Sequence, residues 1–466
     1  MEPDSLETFV AQVKKYQENR VARNSFYSVI QFIVPTLFLL GVTPVLIHRM
    51  GTENYGLWML AISALGLMSI AEFGLNTAIS KFVAEFVGSG DTKALSMVVS
   101  GGLVAYVLLG VGLVIPFYAY SPALAGMFKP SEALSAEQIG SVIRIISLGF
   151  IPLLFRSGAM AIPVGLQRFE VPVIVTVGYQ ILSYSAALLV ILSGGSLNLV
   201  VISTVAVLWV TALWGLFVAL RMLKPFKLKF TITNSGTILR KLLTFALMSG
   251  VSALGSRIFT FADRLAVGAV LGLEAVAYYT VIISVVSKIL QLSSALTNAL
   301  MPAVSSWMAS GAVQRVRTYF LGTTAAILIL NLLIASVLLI FSRPLLTLWM
   351  GAAFTSQALL PFRVLTVIYA LISLNAPAHY VAFGIGKPGI NALSGIAGGC
   401  LTIGLILIWG RTGGLLGAAF ANAGYLITWA IIGYIYLRLD RMVKQTPLIA
   451  NYSEPNYEPR DVREAT

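Results

Sequence analysis

Eight ionisable residues stand inside stretches of this chain that are otherwise suited only to lipid: the cations Arg144, Arg156, Arg257, Arg264, Lys288 and Arg363, and the acids Glu72 and Asp263. A mid-membrane Arg, Lys or Asp costs about 2.5–3.5 kcal/mol. A chain that keeps several uses them in a water-filled cavity or pairs them with one another. The cation excess sets the chemistry. A positively lined cavity concentrates anions and disfavours cationic passengers, and arginine gives charge-assisted hydrogen bonds to phosphate. The two acids are candidates for a coupling proton or sodium ion, and pairing with a nearby cation is the plainer role. Little other chemistry is available. One cysteine, Cys400, and two histidines, His48 and His379, allow no internal disulfide, no zinc motif and no His-based enzyme. No phosphate-binding loop of the Walker type is present, which argues against ATP hydrolysis.

The spacing around Arg257 is the most informative. Gly250, Ala253, Arg257, Thr260 and Arg264 follow one another at intervals of three and four, so they form one small or polar stripe of a helix. Leu254, Ile258 and Phe261 lie beside it or on other faces. This stripe either lines a lumen, or its charges satisfy neighbouring helices, with Arg264 reaching the outer interface. Lys288 lies too deep in its span to reach the headgroups easily. Arg144 and Arg363 sit near the outer starts of their spans, where an interfacial role stands beside a cavity role. Arg156 is near an inner end, where a long side chain can snorkel to water. Glu72 is also close to an inner end.

The elements that must position these residues follow from composition. Of 466 residues 58% are hydrophobic and 11% charged, with a mean hydropathy of +0.89. A soluble protein is about 25% charged, so a polytopic membrane protein is expected. A crossing helix needs about 20 mostly apolar residues. Twelve stretches qualify: 26–47, 54–74, 95–118, 139–161, 171–192, 198–220, 243–268, 275–300, 319–341, 357–383, 388–409 and 415–437. Alternate connections carry 21 lysines and arginines on one side and 4 on the other. The bias places both termini in the cytoplasm of a multi-pass cell (inner) membrane protein. The net charge of +13 is therefore read as cytoplasmic loops facing anionic lipid rather than as a nucleic-acid surface.

The chain also echoes itself. Gly51 to Trp58 aligns without gaps on Gly272 to Tyr279, at an offset of 221, and the segment around Arg144 aligns on that around Arg363 at 219. Six spans per half in the same orientation imply a parallel repeat, with a substrate site between the halves. The expected organisation is a segment 1–24, amphipathic or simply solvated; a six-helix bundle 25–222; a basic linker 223–241; a second six-helix bundle 242–437; and a polar tail 438–466. The fold class expected is all-α integral membrane, with twelve transmembrane helices in two bundles around a central cavity.

Several segments resemble a known family. Glu72 to Lys81 looks like the end of the second span in polysaccharide flippases. Asp263 to Tyr279 resembles their seventh-to-eighth span junction. Asn298 to Ser305 is similar to the end of their eighth span, and Gly351 to Phe354, with Leu359, Leu360 and Arg363, to their ninth-to-tenth connection. The chain thus resembles the Wzx-type oligosaccharide flippases of the multidrug/oligosaccharidyl-lipid/polysaccharide exporter superfamily, from about Asn24 to Leu437. Glu72 stands where those proteins often carry Asp. The resemblance implies two bundles around a cavity and transport of an undecaprenyl-pyrophosphate-linked glycan by alternating access, alongside membrane lipid and other polysaccharide-assembly proteins, without a cofactor and with possible H+ or Na+ coupling. Two other classes are less well matched. A cation-coupled drug exporter of the same superfamily is expected to bury more acids than cations. A membrane glycan polymerase or glycosyltransferase needs long extramembrane loops bearing acids with Arg or His, and the longest outer connection, 119–138, holds only Lys129, Glu132 and Glu137 among its charges.

Overall fold

The computed structural model describes residues 30–128, 134–226 and 261–445, together with Tyr27, Arg240, Leu242, Thr244, Ala246, Leu247 and Gly250. The segment 1–24, most of the linker 223–241, most of the seventh expected span including Arg257, and the tail beyond 445 lie outside them. Among the described residues the chain is helical with no strand. Ten helical stretches are long and apolar enough to cross a bilayer. One of them, Pro388–Met442, runs 55 residues. At 1.5 Å per residue that is about 80 Å, against a hydrocarbon core of about 30 Å, so it cannot cross once. It turns back at Gly414, where φ is 58°, and it carries the two spans expected at 388–409 and 415–437.

The helices are α1 (Ile30–Met50), α2 (Thr52–Met68), α3 (Leu75–Ser89), α4 (Thr92–Ala119), α5 (Ser121–Ala125), α6 (Ala136–Ser147), α7 (Phe150–Gly165), α8 (Glu170–Leu192), α9 (Leu197–Leu223) and α10 (261–271). They continue as α11 (Leu273–Thr297), α12 (Leu300–Ala309), α13 (Val313–Ile340), α14 (Ser342–Met350), α15 (Ala352–Ser373), α16 (Ala376–Gly384), α17 (Pro388–Leu405), α18 (Arg411–Ala421) and α19 (Trp429–Gln445). Four spans are thus each interrupted by a break between two helices, the eighth between α11 and α12. The second breaks between α2 and α3, the fourth between α6 and α7, the tenth between α15 and α16. The tail expected from 438 begins as helix, because α19 runs on to Gln445.

The sequence repeat is carried into the backbone. Helices α4 and α13 each span 28 residues and start at Thr92 and Val313, the offset of 221. Gly51 and Gly272, also 221 apart, precede α2 and α11 with φ of 81° and 89°. Only glycine adopts that conformation without strain, so one residue type at both positions turns the chain sharply into the next span. Gln167 and Gly386, 219 apart, both have positive φ after α7 and α16.

The buried apolar residues form three main clusters. The largest joins both halves and includes Leu46, Trp58, Ile146 and Val201 with Val267, Tyr279, Phe362 and Ala418. It gathers the helix ends beside the cation-poor connections. Of the other two, the first lies mainly in the first half but takes in Leu242 and Ala246 from the start of the second bundle, and the second is confined to the second half. One holds Ile79, Leu95, Leu154 and Leu223, the other Val304, Phe320, Val381 and Ile435. Both lie at the helix ends beside the cation-rich connections. The halves are welded through their shared largest core at one side of the molecule and meet over a smaller contact at the other, where Leu242 and Ala246 pack into the first half's core and Gly250 lies against the Phe73 backbone.

The weld is close. Helix α2 packs along α11, and at Gly56 a Cβ would lie 1.8 Å from the Leu273 carbonyl oxygen. Trp349 of α14 donates its indole N–H to the Leu40 carbonyl of α1 at 2.6 Å. Each half also ties its second span to its last with a buried hydrogen bond. Trp58 Nε1 donates to Thr204 Oγ1 at 3.1 Å, and at the repeat-equivalent position Asn422 Nδ2 donates to Tyr279 Oη at 2.8 Å.

Candidate functional site

Three polar groupings gather the charges expected from sequence. The first surrounds Asp263 on α10. Its side chain is 1% exposed. Tyr279 Oη donates to Asp263 Oδ2 at 2.8 Å, and the Arg264 backbone N–H donates to Oδ1 at 2.8 Å. Asn422 holds the tyrosine and also donates to the Ala418 carbonyl at 3.0 Å. A buried carboxylate is stable only when its oxygens accept such bonds; α10 and α11 supply them here, and Asn422 braces the tyrosine. The adjacent Arg264 is partly exposed. Its guanidinium acts electrostatically on Asp263 and Tyr369 of its own half and on Tyr55 and Tyr184 of the other, so Arg264 lies at the seam between halves.

The second grouping surrounds Glu72, where the second span breaks. Phe73 follows in the left-handed region, φ 36°, an uncommon conformation for a large side chain. Gly250 allows this corner: a Cβ there would lie 2.6 Å from the Phe73 carbonyl carbon. The break turns Glu72 toward α7. Ser157 Oγ donates to Glu72 Oε2 at 2.5 Å and Tyr106 Oη donates at 3.2 Å. Asn76 Nδ2 donates to the Ser157 carbonyl at 2.8 Å. Arg156, open in sequence to a cavity role or a snorkel to the headgroups, turns inward. It lies over the Tyr179 ring at 4.6 Å and lines the same small cavity as Glu72.

The third grouping is a crevice of about 370 Å³ between α1 and α11, α13 and α14, lined by Phe32, Thr36, Leu40, Ile334, Leu338 and Trp349, with Lys288 on its wall. The ammonium donates to Gln291 Oε1 at 3.2 Å and lies 5.2 Å from the Phe32 ring centroid. The crevice lies between the halves, and its lining is mainly apolar.

Arg363 and Arg144 stand apart from all three. Arg363 Nε donates to Ser342 Oγ at 2.8 Å, which fastens α15 to the start of α14. In the first half the equivalent atoms, Arg144 Nε and Ser121 Oγ, are buried and unbonded. Arg257 lies outside the described residues. The structure thus brings Glu72 and Arg156 together and Asp263 and Arg264 together, and leaves Lys288 in a separate crevice. Sequence reasoning missed Tyr106, Ser157, Tyr179 and Asn422. Only Tyr279 carried a signal, as the counterpart of Trp58 in the repeat. Among the described residues no cluster of His, Cys, Asp or Glu could hold a metal ion.

Residues 21–308 match the family described as "Polysaccharide biosynthesis protein". The chain belongs to that family. A relative from Bacillus subtilis (strain 168), described as "Uncharacterized membrane protein EpsK", is 21% identical over 352 residues, 75% of this chain and 69% of its own. An inward-facing multidrug resistance MATE transporter of the MOP superfamily matches with a TM-score of 0.70 at 17% identity, covering 91% of this chain and 99% of its own. An outward-facing MATE structure gives 0.61 at 19% identity, covering 92% and 97%. A MOP superfamily transporter from Pyrococcus furiosus, described as having a binding pocket of reversed polarity, gives a TM-score of 0.59 at 18% identity, covering 91% and 96%. This member of the polysaccharide biosynthesis family is therefore a multi-pass membrane protein with the transporter fold of the MOP superfamily.

Proposed function

We propose that the protein moves a lipid-pyrophosphate-linked oligosaccharide from the cytoplasmic to the outer leaflet of the cell membrane by alternating access, for surface polysaccharide assembly. The observation that carries this is the charge inventory of the spans: six cations against two acids, in a chain of the polysaccharide biosynthesis family. Such a lumen suits a pyrophosphate diester, which carries about two negative charges and accepts forked hydrogen bonds from arginine. A cation-coupled drug exporter, the nearest rival on this fold, calls for the opposite balance.

In this reading the cation-rich side faces the cytoplasm. The smaller contact between the halves on that side is the one that parts to admit the passenger. The weld opens when the halves rock, and the head group leaves on the far side. The experiment is complementation of a flippase-deficient strain, scored as surface polysaccharide, together with drug resistance in an efflux-deficient strain. Polysaccharide restored without resistance supports the flippase. Resistance without polysaccharide supports the drug exporter.

A further inference from the structure

The two halves join their last spans to the rest in different ways. In the second half α19 packs directly on α13. Its buried stripe of Ile431, Ile435 and Leu439 shares a core with Val316 and Phe320, and Arg317 of α13 pairs with Asp440 of α19 at 3.5 Å. The first half carries smaller residues on the matching stripe of α9, where Gly215, Ala219 and Leu223 are buried at the same spacing of four. At Gly215 a Cβ would lie 2.7 Å from Met160 Cε, so α9 is drawn against α7. Helices α4 and α9 both pack on α7, and a groove of about 520 Å³ runs between them. The ion pair has no counterpart here. Arg317 corresponds to Ser96 at offset 221, and Asp440, the residue after Leu439, to Lys224, the residue after Leu223.

The groove is apolar along its length and cationic at one end. Leu103, Val104 and Leu108 of α4 line it on one side, Leu216 and Leu220 of α9 on the other, with Phe155 of α7. Leu108 is 66% exposed and Leu220 44%, in stretches that cross the bilayer, so hydrocarbon rather than water covers them. Both walls run on to a lysine. Lys93 stands seven residues before Ser100 and eleven before Val104, on the same face of α4, and Lys224 stands four after Leu220, on the same face of α9. Lys93, Lys224 and the neighbouring Arg221 are exposed and form no ion pair among the described residues. From Lys93 to Leu108 the helix rises about 22 Å, against a hydrocarbon core of about 30 Å. The groove therefore begins just below the headgroups of the cation-rich side and passes the midplane. Its walls all belong to the first half, so what fills it stays with that half when the two rock.

We infer that this groove binds one resident anionic phospholipid from the leaflet on the cation-rich side, with an acyl chain between α4 and α9 and the phosphate at Lys93 and Lys224. The lipid ties the third span to the sixth, as Ile431, Ile435 and the Arg317–Asp440 pair tie the ninth to the twelfth. Any hydrocarbon chain suits the groove, and the two lysines select the anionic head. In the topology proposed above this is the cytoplasmic leaflet, where anionic lipids are concentrated. The inference does not depend on which passenger the protein carries.

The test uses the full-length protein, purified in detergent and delipidated. The probes are phosphatidylglycerol and phosphatidylcholine with identical acyl chains, and a polyprenyl phosphate serves as competitor. Native mass spectrometry counts the lipids retained, and the melting temperature reports what they stabilise. Wild type should retain one phosphatidylglycerol per chain under conditions that strip phosphatidylcholine, and should melt higher with it. The double variant Lys93→Gln/Lys224→Gln changes two exposed side chains, so it should fold. It should bind phosphatidylglycerol roughly tenfold more weakly and no longer prefer it. Leu220→Trp fills the groove and should retain neither lipid there. The control, Arg315→Gln/Lys387→Gln, removes two exposed cations of the second half on the same side and should bind as wild type does. Equal retention of the two lipids by wild type, or undiminished phosphatidylglycerol in the lysine variant, overturns the inference. An equal loss in the control overturns it too, by marking a diffuse positive surface. So does displacement of phosphatidylglycerol by an equal concentration of the polyprenyl phosphate, which would give the groove to the passenger. A lysine variant that melts far below wild type in phosphatidylcholine would make the lysines structural, and the inference falls. If Leu220→Trp does not fold, the lysine variant and its control decide.

Discussion

Replacing Gly56 with alanine should bias the protein away from the welded arrangement described above. Helices α2 and α11 meet there so closely that the new Cβ would stand 1.8 Å from the Leu273 carbonyl oxygen, 2.8 Å from its carbon and 3.3 Å from the Ala277 nitrogen. The obstructing atoms are backbone, so no side-chain rotation relieves the overlap, and the two helices must separate. Overpacking of this kind costs about 1–3 kcal/mol. The cost falls on the arrangement in which α2 and α11 touch, and it vanishes once the weld opens. A differential of that size changes the ratio of the two populations about 5- to 150-fold. Gly101→Ala is the control, because nothing lies within 4 Å of its Cβ position. It should leave the populations unchanged and raise helix stability slightly. The assay is electron–electron distance measurement between spin labels at Ser196→Cys and Ser356→Cys, both beside the weld in opposite halves, with Cys400 replaced by alanine. Gly56→Ala should add a population of longer distances that Gly101→Ala lacks. An unchanged distance distribution in folded Gly56→Ala would refute the idea that this contact parts during the cycle.

Arg257→Ala should abolish or strongly reduce surface polysaccharide at a normal protein level, and Arg257→Lys should keep part of it, since the charge remains and the fork is lost; normal polymer with Arg257→Ala would make the residue structural. Labelling of Ser235→Cys from outside intact cells, in a Cys400→Ala background, should fail while Ser196→Cys labels, and the reverse would invert the topology. Tyr279→Phe removes the hydroxyl between Asp263 and Asn422, which leaves a buried carboxylate short of a donor at a cost of about 1–3 kcal/mol; its melting temperature should fall further than that of Trp58→Phe, which loses one neutral bond to Thr204. Asp263→Asn keeps the shape without the charge, and if the proposed export retains its pH and sodium dependence in that variant, Asp263 does not couple it to an ion.

The spans were legible because the bilayer imposes a length and a polarity on every crossing, and the chain meets both. The repeat was legible because tight turns demand glycine, and Gly51 and Gly272 kept that identity while their neighbours diverged. The breaks inside spans were not legible. The turn at Phe73 has no helix-breaking residue until Gly74, and the corner exists because Gly250, far away in sequence, lets another backbone approach it. The partners of the buried acids were hidden for a similar reason. Ser157 lies 85 residues from Glu72, and Asn422 lies 143 from Tyr279. A serine or asparagine in an apolar helix carries no signal of its partner until the packing is known. Of the two readings open for Arg156, a cavity wall and a snorkel to the headgroups, the structure places the side chain on a cavity wall. Depth along the span suggested an escape to the headgroups, whereas the Tyr179 ring holds the guanidinium inside.

The two halves share a scaffold and differ in where they hold buried charge. The first half keeps Glu72 and Arg156 where the second has Ser293 and Asn375. The second keeps Asp263 and Arg264 where the first has Val42 and Thr43. Symmetry of helix lengths and turns makes the rocking of one half against the other mechanically simple, because each presents the same seam to its partner. The passenger proposed above, with a charged head, a polar glycan and an apolar tail, could not be gripped symmetrically. Its parts need different walls, and the positions free to supply them are those the shared fold leaves unconstrained. Divergence at the equivalent positions is therefore where specificity should be sought. Substitutions that make one half copy the other there should disturb transport more than folding.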